Sequence, residues 1–358
     1  MRRGRGRRFG LLIATASALA ITGCPGDDGP AQPANDAGPD AVAEAGAPEW
    51  RTVLEGLDGS LLSIWGTSSK DVWTVGGSLG NGSPSLVLRF DGTAWKRLSP
   101  GRDETYWWVH GTSDTDVWLA GEKGRITHWD GAAFREDASG TTATLFGVFA
   151  FARDDVWAVG GSPDQGSGPN DVLLHFDGTG WKAETLPAST NTALFKVWGP
   201  SKDDVYVVGD AGVIWHRTAG AWKREGEGVA KGRLTTVAGC SATQLFAVGG
   251  RDLLTGDGKG NWTRNDTLLV NDVNGVACAN GKAVIVGGGS LKLRLDGDRW
   301  IDDFGSKPFE DLHGAWVDET GAFWGAGGKF SAAPRPGASR NGTVARYGLG
   351  SVPGALVQ

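Results

Sequence analysis

Histidine, cysteine and tyrosine are scarce in this chain of 358 residues, which contains five, three and three of them. No histidines have the close spacing typical of a zinc site, and no cluster of carboxylates indicates a calcium-binding loop. The sequence also lacks a nucleophile elbow, a phosphate-binding loop and a dinucleotide fingerprint. We therefore predict no metal and no cofactor. A glycosidase stays open, because its two carboxylates can come from any two loops.

Basic charge is also low once the N-terminal residues are set aside. Residues 24–358 contain 30 Lys and Arg against 41 Asp and Glu, a net charge of −11. Proteins bind phosphate backbones through basic patches. We therefore expect no nucleic-acid partner.

The N-terminus is typical of an export signal. Arg2, Arg3, Arg5, Arg7 and Arg8 precede the apolar stretch FGLLIATASALAIT. This stretch is too short for an ordinary transmembrane helix.

The export signal ends in Ile21-Thr22-Gly23-Cys24, which resembles the bacterial lipobox. The resemblance implies cleavage after residue 23 and a lipid on Cys24, and the alternative is a secretory peptide with an incidental cysteine. Residues 24–48 are rich in Pro, Gly, Ala and Asp, a composition that predicts a disordered tether.

Glycine and tryptophan are abundant, with 59 and 17 copies, and they follow a repeat. Each copy has a strand ending near Val-Gly, a polar gap, then a hydrophobic residue, Asp-Gly and an aromatic residue. The copies are anchored at Trp73, Trp118, Trp157, Tyr206, Phe246, Val284 and Trp324, which lie 38 to 49 residues apart. Such spacing predicts an all-β fold, a seven-bladed β-propeller of four-stranded antiparallel blades over residues 49–350, with 351–358 as a tail.

The ends of the repeat region predict how the ring closes. The chain enters with EWRTVL (residues 49–54), an outer strand without a preceding blade, and its last repeat lacks a fourth strand. The N-terminal strand should complete that last blade and remove an open sheet edge.

Most tryptophans recur at equivalent strand positions, which favours interblade packing over a ligand cage. The aspartates before each second strand, such as Asp71 and Asp116, are interpreted as turn caps instead of catalytic acids. His128, His175 and His216 flank a packing position and are expected to face solvent.

Gly76-Gly77, Phe90 and Trp95 resemble the kelch repeat, and nearly all of residues 49–350 follows the pattern. The second glycine is missing at Gly121-Glu122 and Gly209-Asp210. The chain also resembles the Trp- and Gly-rich propeller lipoproteins of bacteria. Kelch-like propellers mostly bind proteins, although a branch similar to galactose oxidase is enzymatic. That branch uses tyrosines and histidines around one metal, and here these residues are scattered.

Connection lengths indicate a working surface. The second-to-third and fourth-to-first connections are the longer ones, and antiparallel strands place both at one end, which we call the loop face. The third residue of each inner strand is mostly small, as the column Ser63, Trp108, Gly147, Lys196, Thr236, Gly275 and Gly314 shows.

Trp108 and Lys196 interrupt this column of small residues. With Tyr106 and His313 they form our predicted ligand-binding site, and the alternative is that they only plug the central channel. Cys240 and Cys278 end adjacent inner strands and could form a disulfide in an oxidising compartment.

Together these features predict a lipid-anchored binding or scaffolding module of the cell envelope, monomeric and attached to the outer membrane on its periplasmic or outer side. Its partner would be an envelope or extracellular protein or glycan, and its lipid would be its only membrane contact. The alternatives are an extracytoplasmic carbohydrate-active hydrolase or oxidase, and a structural part of envelope assembly machinery.

Overall fold

The computed structural model describes residues 46–77, 84–163, 168–265, 271–329 and 340–357. The export signal and nearly all of the tether, with Cys24, lie outside these ranges. The long second-to-third connections of blades 1, 3 and 7 lie partly outside them.

The described strands form seven sheets, and in each sheet the four blade strands are antiparallel and follow one another from the axis outward. The first strand is β1 (Glu49–Leu57). Blade 1 has β2 (Leu61–Ser68), β3 (Asp71–Gly76), β4 (Leu86–Phe90) and β5 (Trp95–Arg97). Blade 2 has β6 (Tyr106–Ser113), β7 (Asp116–Gly121), β8 (Ile126–Trp129) and β9 (Phe134–Asp137). Blade 3 has β10 (Thr144–Ala152), β11 (Asp155–Gly161), β12 (Val172–Phe176) and β13 (Trp181–Ala183). Blade 4 has β14 (Leu194–Ser201), β15 (Asp204–Gly209), β16 (Ile214–Thr218) and β17 (Ala221–Glu225).

The remaining blades follow the same order. Blade 5 has β18 (Thr236–Ser241), β19 (Gln244–Gly249), β20 (Asp252–Gly256) and β21 (Trp262–Arg264). Blade 6 has β22 (Val273–Ala279), β23 (Lys282–Gly287), β24 (Lys292–Asp296) and β25 (Arg299–Asp302). Blade 7 has β26 (Leu312–Val317), β27 (Phe323–Gly327) and β28 (Gly342–Gly348), and β1 is its outer strand. The seven-bladed all-β fold is therefore confirmed.

Ring closure follows the prediction. β1 pairs antiparallel with β28, from Glu49 opposite Gly348 to Leu57 opposite Gly342. A short strand, β29 (Leu356–Val357), adds in parallel to β5 at the outer edge of blade 1. The C-terminal residues thus contribute a fifth strand that the sequence analysis did not predict.

The repeated aromatic residues join neighbouring blades. The second-strand ring of one blade meets the outer-strand ring of the next blade edge-on, with centroids 5.4–6.4 Å apart. The pairs are Trp73 with Phe134, Trp118 with Trp181, Trp157 with Trp222, Tyr206 with Trp262, and Phe246 with Trp300. Each edge-to-face pair adds about 0.5–1.5 kcal/mol beyond its area burial, so the tryptophan columns hold the ring together.

The blade histidines occupy the other face of these rings. Their imidazoles stack at 3.9–4.1 Å between centroids and contact a second-strand aspartate at 2.6–2.9 Å. The sets are Asp116, Trp118 and His128; Asp155, Trp157 and His175; and Asp204, Tyr206 and His216. The expectation that these histidines face solvent was wrong for His128 and His216, which are 2% and 7% exposed.

The aspartates before the second strands bond side chains instead of turn amides. Asp71 accepts hydrogen bonds from the Thr67 hydroxyl at 2.8 Å and from Arg89 at 2.7 Å. The turn amides are capped by the aspartates of the Asp-Gly pairs, such as Asp91, which accepts from Ala94 N at 3.0 Å. Gly92 beside it has φ 90°, as the predicted tight hairpin requires.

The two departures from the glycine pair share one local structure. Short 3₁₀ helices, Glu122–Gly124 and Asp210–Gly212, follow the second strands of blades 2 and 4. Within the described ranges, no helix has the length and apolar character needed to cross a bilayer.

Candidate functional site

A β-bulge lies near the start of six of the seven inner strands. Pairing between the first two strands skips one residue, as between Tyr106 and Trp108 in β6. The skipped residues are Leu62, Trp107, Phe146, Phe195, Asn274 and His313, and Thr235 precedes β18 at the equivalent position. A bulge breaks the two-residue alternation of side chains and re-aims the extra one. We call these seven residues the axial ring.

All of the axial ring except Leu62 lines a cavity of about 330 Å³ at the loop face. Pro163, Lys196, Arg233, Gly250 and Asp272 complete its walls. Blades 2 to 7 therefore each place one axial-ring side chain at this opening.

Three of the seven axial-ring residues form an aromatic wall. Trp107 packs edge-on against Phe146 with centroids 5.0 Å apart, and Phe146 contacts Phe195 at 5.1 Å. The Arg233 guanidinium lies 5.1 Å from the centre of the Phe195 ring, and its Nε is 2.7 Å from Asp210. Blades 2 to 4 thus supply a continuous apolar wall with a cation at its end.

Three further axial-ring residues are polar, and hydrogen bonds to neighbouring blades hold them in place. His313 Nδ1 donates to the Leu62 carbonyl oxygen at 2.7 Å, which sets its tautomer. Asn274 Nδ2 donates to Leu312 O at 3.0 Å, and the Thr235 hydroxyl donates to Asn274 O at 2.8 Å. These side chains are oriented before any ligand arrives, which lowers the entropic cost of binding.

Lys196 and Trp108 lie deeper in the channel. Lys196 is 3% exposed, its Nζ donates to Phe146 O at 2.6 Å, and Nζ lies 3.7 Å from the centre of the Trp108 ring. Burial lowers the lysine pKa well below its usual value. A cation–π contact stabilises the charged amine by about 2 kcal/mol, whereas desolvation of an ion costs several kcal/mol. The buried site therefore favours the neutral form of the amine.

The same buried environment determines the protonation state of His313. Burial, followed by the charge of Lys196, lowers the pKa of His313 to about 4. Two bases in one desolvated channel do not both take up a proton near neutral pH. The ligand cavity therefore has a neutral imidazole among its polar groups.

A second cavity of about 220 Å³ lies toward the opposite end of the inner strands. Its wall is mostly apolar and includes Trp65, Trp108, Phe149, Trp198 and Trp316. Lys196 lines both cavities and so separates them.

Three of the four tryptophans that line this second cavity pack on a glycine of the next blade. Trp65 packs on Gly111, Trp198 on Gly239, and Trp316 on Gly66, where any side chain would collide with the ring. These residues therefore serve both the blade interface and the channel wall.

The structure brings together three of the four predicted site residues. Trp108, Lys196 and His313 lie along the channel, on either side of the boundary between the cavities. Tyr106 is separate from them: it is fully buried between blades 1 and 2, and its hydroxyl is 2.8 Å from Thr127 Oγ1. Its position before the bulge turns its side chain into the blade interface.

Sequence analysis missed most of the axial ring because its seven residues have no common type. A repeat is found from what its copies share, and this position varies from leucine to histidine. The sequence did contain a signal. The residue just before each member of the column of small residues is aromatic in blades 2 to 4 and polar in blades 5 to 7.

Cys240 and Cys278 are joined in a disulfide between the inner strands of blades 5 and 6, with Cα atoms 4.7 Å apart. Cys278 also lines the second cavity. Among the described residues, no group of three or more His, Cys, Asp or Glu is arranged to hold a metal ion.

No protein-family model matches the sequence, and no curated protein matches it. Solved structures do match. Virginiamycin B lyase from Staphylococcus aureus has 13% identity and a TM-score of 0.66, over 84% of this chain and 99% of that one. YCF48 bound to D1 peptide has 15% identity and a TM-score of 0.62, over 83% and 96%. The RRP9 WD40 repeats have 12% identity and a TM-score of 0.66, over 86% and 100%.

These neighbours are a lyase, YCF48 and a WD40-repeat protein, and the kelch resemblance stays a prediction. At such low identities the likeness concerns the fold alone. The chain is a seven-bladed β-propeller with an amphipathic opening at its loop face.

Proposed function

We propose that the protein is a monomeric binding module of the cell envelope, anchored through lipid on Cys24, whose loop face binds a segment of a partner protein. A bulky apolar side chain of that segment would enter the axial cavity. The observation that carries the proposal is the axial ring, aromatic on blades 2 to 4 and polar on blades 5 to 7.

The aromatic residues of the axial ring suit an apolar side chain of a peptide, and its polar residues suit the peptide backbone. An apolar side chain gains most from the wall of Trp107, Phe146 and Phe195, since buried aromatic contacts dominate binding energy. The peptide backbone needs fixed donors and acceptors, and Asn274 and His313 are held in place to supply them. A volume of about 330 Å³ is at the lower end for ligand pockets, which favours one inserted group over a whole small molecule.

The structural neighbours lend support by analogy. One was solved with a D1 peptide bound and another contains WD40 repeats. A glycan partner would use similar aromatic and polar groups, so the experiment must separate the two classes.

The test is to probe peptide and glycan arrays with the purified protein and then measure affinity for the best binders. Trp107→Ala should weaken peptide binding by about thirtyfold, which corresponds to the ~2 kcal/mol of a binding hot spot. Asn274→Ala should weaken it less, because the aromatic wall is retained.

Trp198→Ala is the matched control, since Trp198 is a partly exposed channel tryptophan in the second cavity. It should bind peptides normally once thermal unfolding has shown that it is folded. Equal affinities of the Trp107→Ala variant and the wild type would refute the proposed site. Binding of glycans with no peptide signal would replace the proposed partner class.

A further inference from the structure

Lys196 is a buried amine that meets two cavities. It comes from the third position of β14, where most blades have a small residue, and it lines the channel on both sides. A molecule entering either cavity would therefore meet Lys196 in its wall.

The hydrogen bonding of Lys196 is incomplete. Its Nζ can donate three hydrogen bonds, yet Phe146 O is its one hydrogen-bond acceptor among the described residues. It forms no ion pair within the described part of the chain, and the centre of the Trp108 ring lies 3.7 Å from its Nζ.

A second buried lysine has an amine whose hydrogen bonds are all satisfied, and it serves as a comparison for Lys196. Lys292 is fully buried, and its Nζ donates to Ser290 O, Ser290 Oγ, Ser306 O and Pro308 O at 2.9–3.0 Å. All of its hydrogen-bonding capacity is used to hold the connection before β26. Lys196 has no comparable set of acceptors.

We propose that Lys196 acts as an amine nucleophile that captures small carbonyl compounds in the channel as an imine. The inference concerns the buried amine alone and does not require that the loop face bind a peptide. A desolvated lysine without a counterion is an established way to obtain a neutral, nucleophilic amine.

The chemistry balances without an oxidant or reductant. The Nζ lone pair attacks the carbonyl carbon, and the carbonyl oxygen takes up the two amine protons and leaves as water. A carbon–nitrogen double bond replaces the carbon–oxygen double bond. The Trp108 ring face and the Phe146 carbonyl oxygen lie where they would contact the protonated form of this imine.

The substrate class follows from size and charge. Lys196 is only 3% exposed, so an aldehyde or ketone of few heavy atoms fits better than a sugar. The charged and titratable groups that line the two cavities with it are His110, His313, Arg233 and Asp272. Burial lowers the pKa values of His110 and His313 to about 3 and about 4, so both are neutral at neutral pH.

The test uses acetaldehyde with cyanoborohydride, which reduces an imine to a stable N-ethyl amine that peptide mass spectrometry locates. At pH 6.5 only about one in 10⁴ ordinary exposed lysines is deprotonated. We expect Lys196 to be labelled at least tenfold faster than the exposed lysines, such as Lys202 and Lys223, and this advantage should shrink as the pH rises toward 10.

Lys292 in the same molecule is the matched control and should stay unlabelled while the protein is folded. Lys196→Met should remove the fast adduct and leave labelling of all other lysines unchanged. If Lys196 is labelled at or below the rate of the exposed lysines at pH 6.5, then it only fills the channel, and the inference is overturned. Peptide binding could then still hold, since the array measurement does not depend on this amine.

Discussion

At the residue scale, the stacked histidines explain how one blade is tied to the next. A second-strand ring has a basic side chain on one face and the edge of an aromatic ring of the next blade against it. In blade 1 the basic side chain is Arg89, which lies 5.1 Å from the centre of the Trp73 ring and 2.7 Å from Asp71. An aspartate, a basic side chain and an aromatic ring thus form one repeated unit of interblade packing.

His216 is the member of this set that should respond to pH. Its Nε2 is 2.7 Å from Asp204 and its Nδ1 is 2.8 Å from Glu225, so both nitrogens must donate. Burial lowers the pKa of His216, but its hydrogen bonds to the carboxylates of Glu225 and Asp204 outweigh burial and raise the pKa above 6.5. The stabilisation is therefore present below pH 6.5 and is lost as the pH rises through the folded-state pKa.

We predict that His216→Ala lowers the free energy of unfolding by about 3–5 kcal/mol at pH 6, since it leaves Glu225 buried without its partner. The loss should shrink toward pH 9. His175→Ala is the control, because His175 has one close carboxylate, Asp155, and its side chain is 25% exposed. Urea unfolding at both pH values measures the difference. The same pH dependence in the wild type and the His216→Ala variant would contradict the assignment.

At the residue scale, the sequence predicts some side-chain positions and not others. The tryptophan columns were predictable because packing between blades demands the same large ring in each copy. The direction of Tyr106 was not predictable, because the bulge after it depends on how β6 pairs with β7. Burial of His128 likewise depends on a ring and a carboxylate from another strand.

At the element scale, β1 carries more of the stability than its position at the chain end suggests. Trp50, Leu54 and Leu57 are each buried to at least nine-tenths, and the Thr343 hydroxyl donates to Leu54 O at 2.9 Å. Loss of β1 would also expose β28 as an open sheet edge, which invites aggregation.

We predict that removing residues 46–57 lowers the free energy of unfolding by more than ~5 kcal/mol, since one buried tryptophan alone accounts for about 3–5 kcal/mol. Trp50→Ala should reproduce a large part of this loss. Removing residues 351–358 is the matched deletion and should cost much less, because β29 has only two paired residues. Thermal unfolding and gel filtration report stability and aggregation. Equal melting temperatures for the two deletions would rule out closure by β1.

Closure was predictable because the two chain ends are complementary in an otherwise regular repeat. β29 was not, because Leu356 and Val357 belong to no repeat and their pairing with β5 depends on where the closed ring brings the C-terminus.

At the scale of the whole molecule, the channel has two openings with different chemistry. The loop-face opening is half aromatic and half polar, whereas the opposite cavity is mostly apolar, and Lys196 with Trp108 lies between them. A frame of seven similar blades therefore carries an asymmetric axis, which arises because bulge residues vary from blade to blade.

The proposed attachment to the membrane is also a property of the whole molecule. Residues 49–358, which follow the acidic tether, contain 30 Lys and Arg against 36 Asp and Glu, a net charge of −6, so anionic lipids should repel the folded domain. Among the residues that the structure describes, the two most exposed large apolar side chains are Phe304 and Phe309, at 69% and 63%, and Asp302, Asp303, Glu310 and Asp311 flank them. We expect this segment to contribute little to binding an anionic bilayer.

We therefore predict that Cys24→Ala moves the protein from the membrane fraction to the soluble extracytoplasmic fraction, because the lipid is its proposed attachment. Fractionation with a carbonate wash, followed by immunoblotting, measures the distribution. The double variant Cys240→Ser and Cys278→Ser is the control: it removes the other two cysteines and should stay with the membrane. If the Cys24→Ala protein remains membrane-bound after the wash, a lipid on Cys24 is not the anchor, and another surface must hold the propeller there.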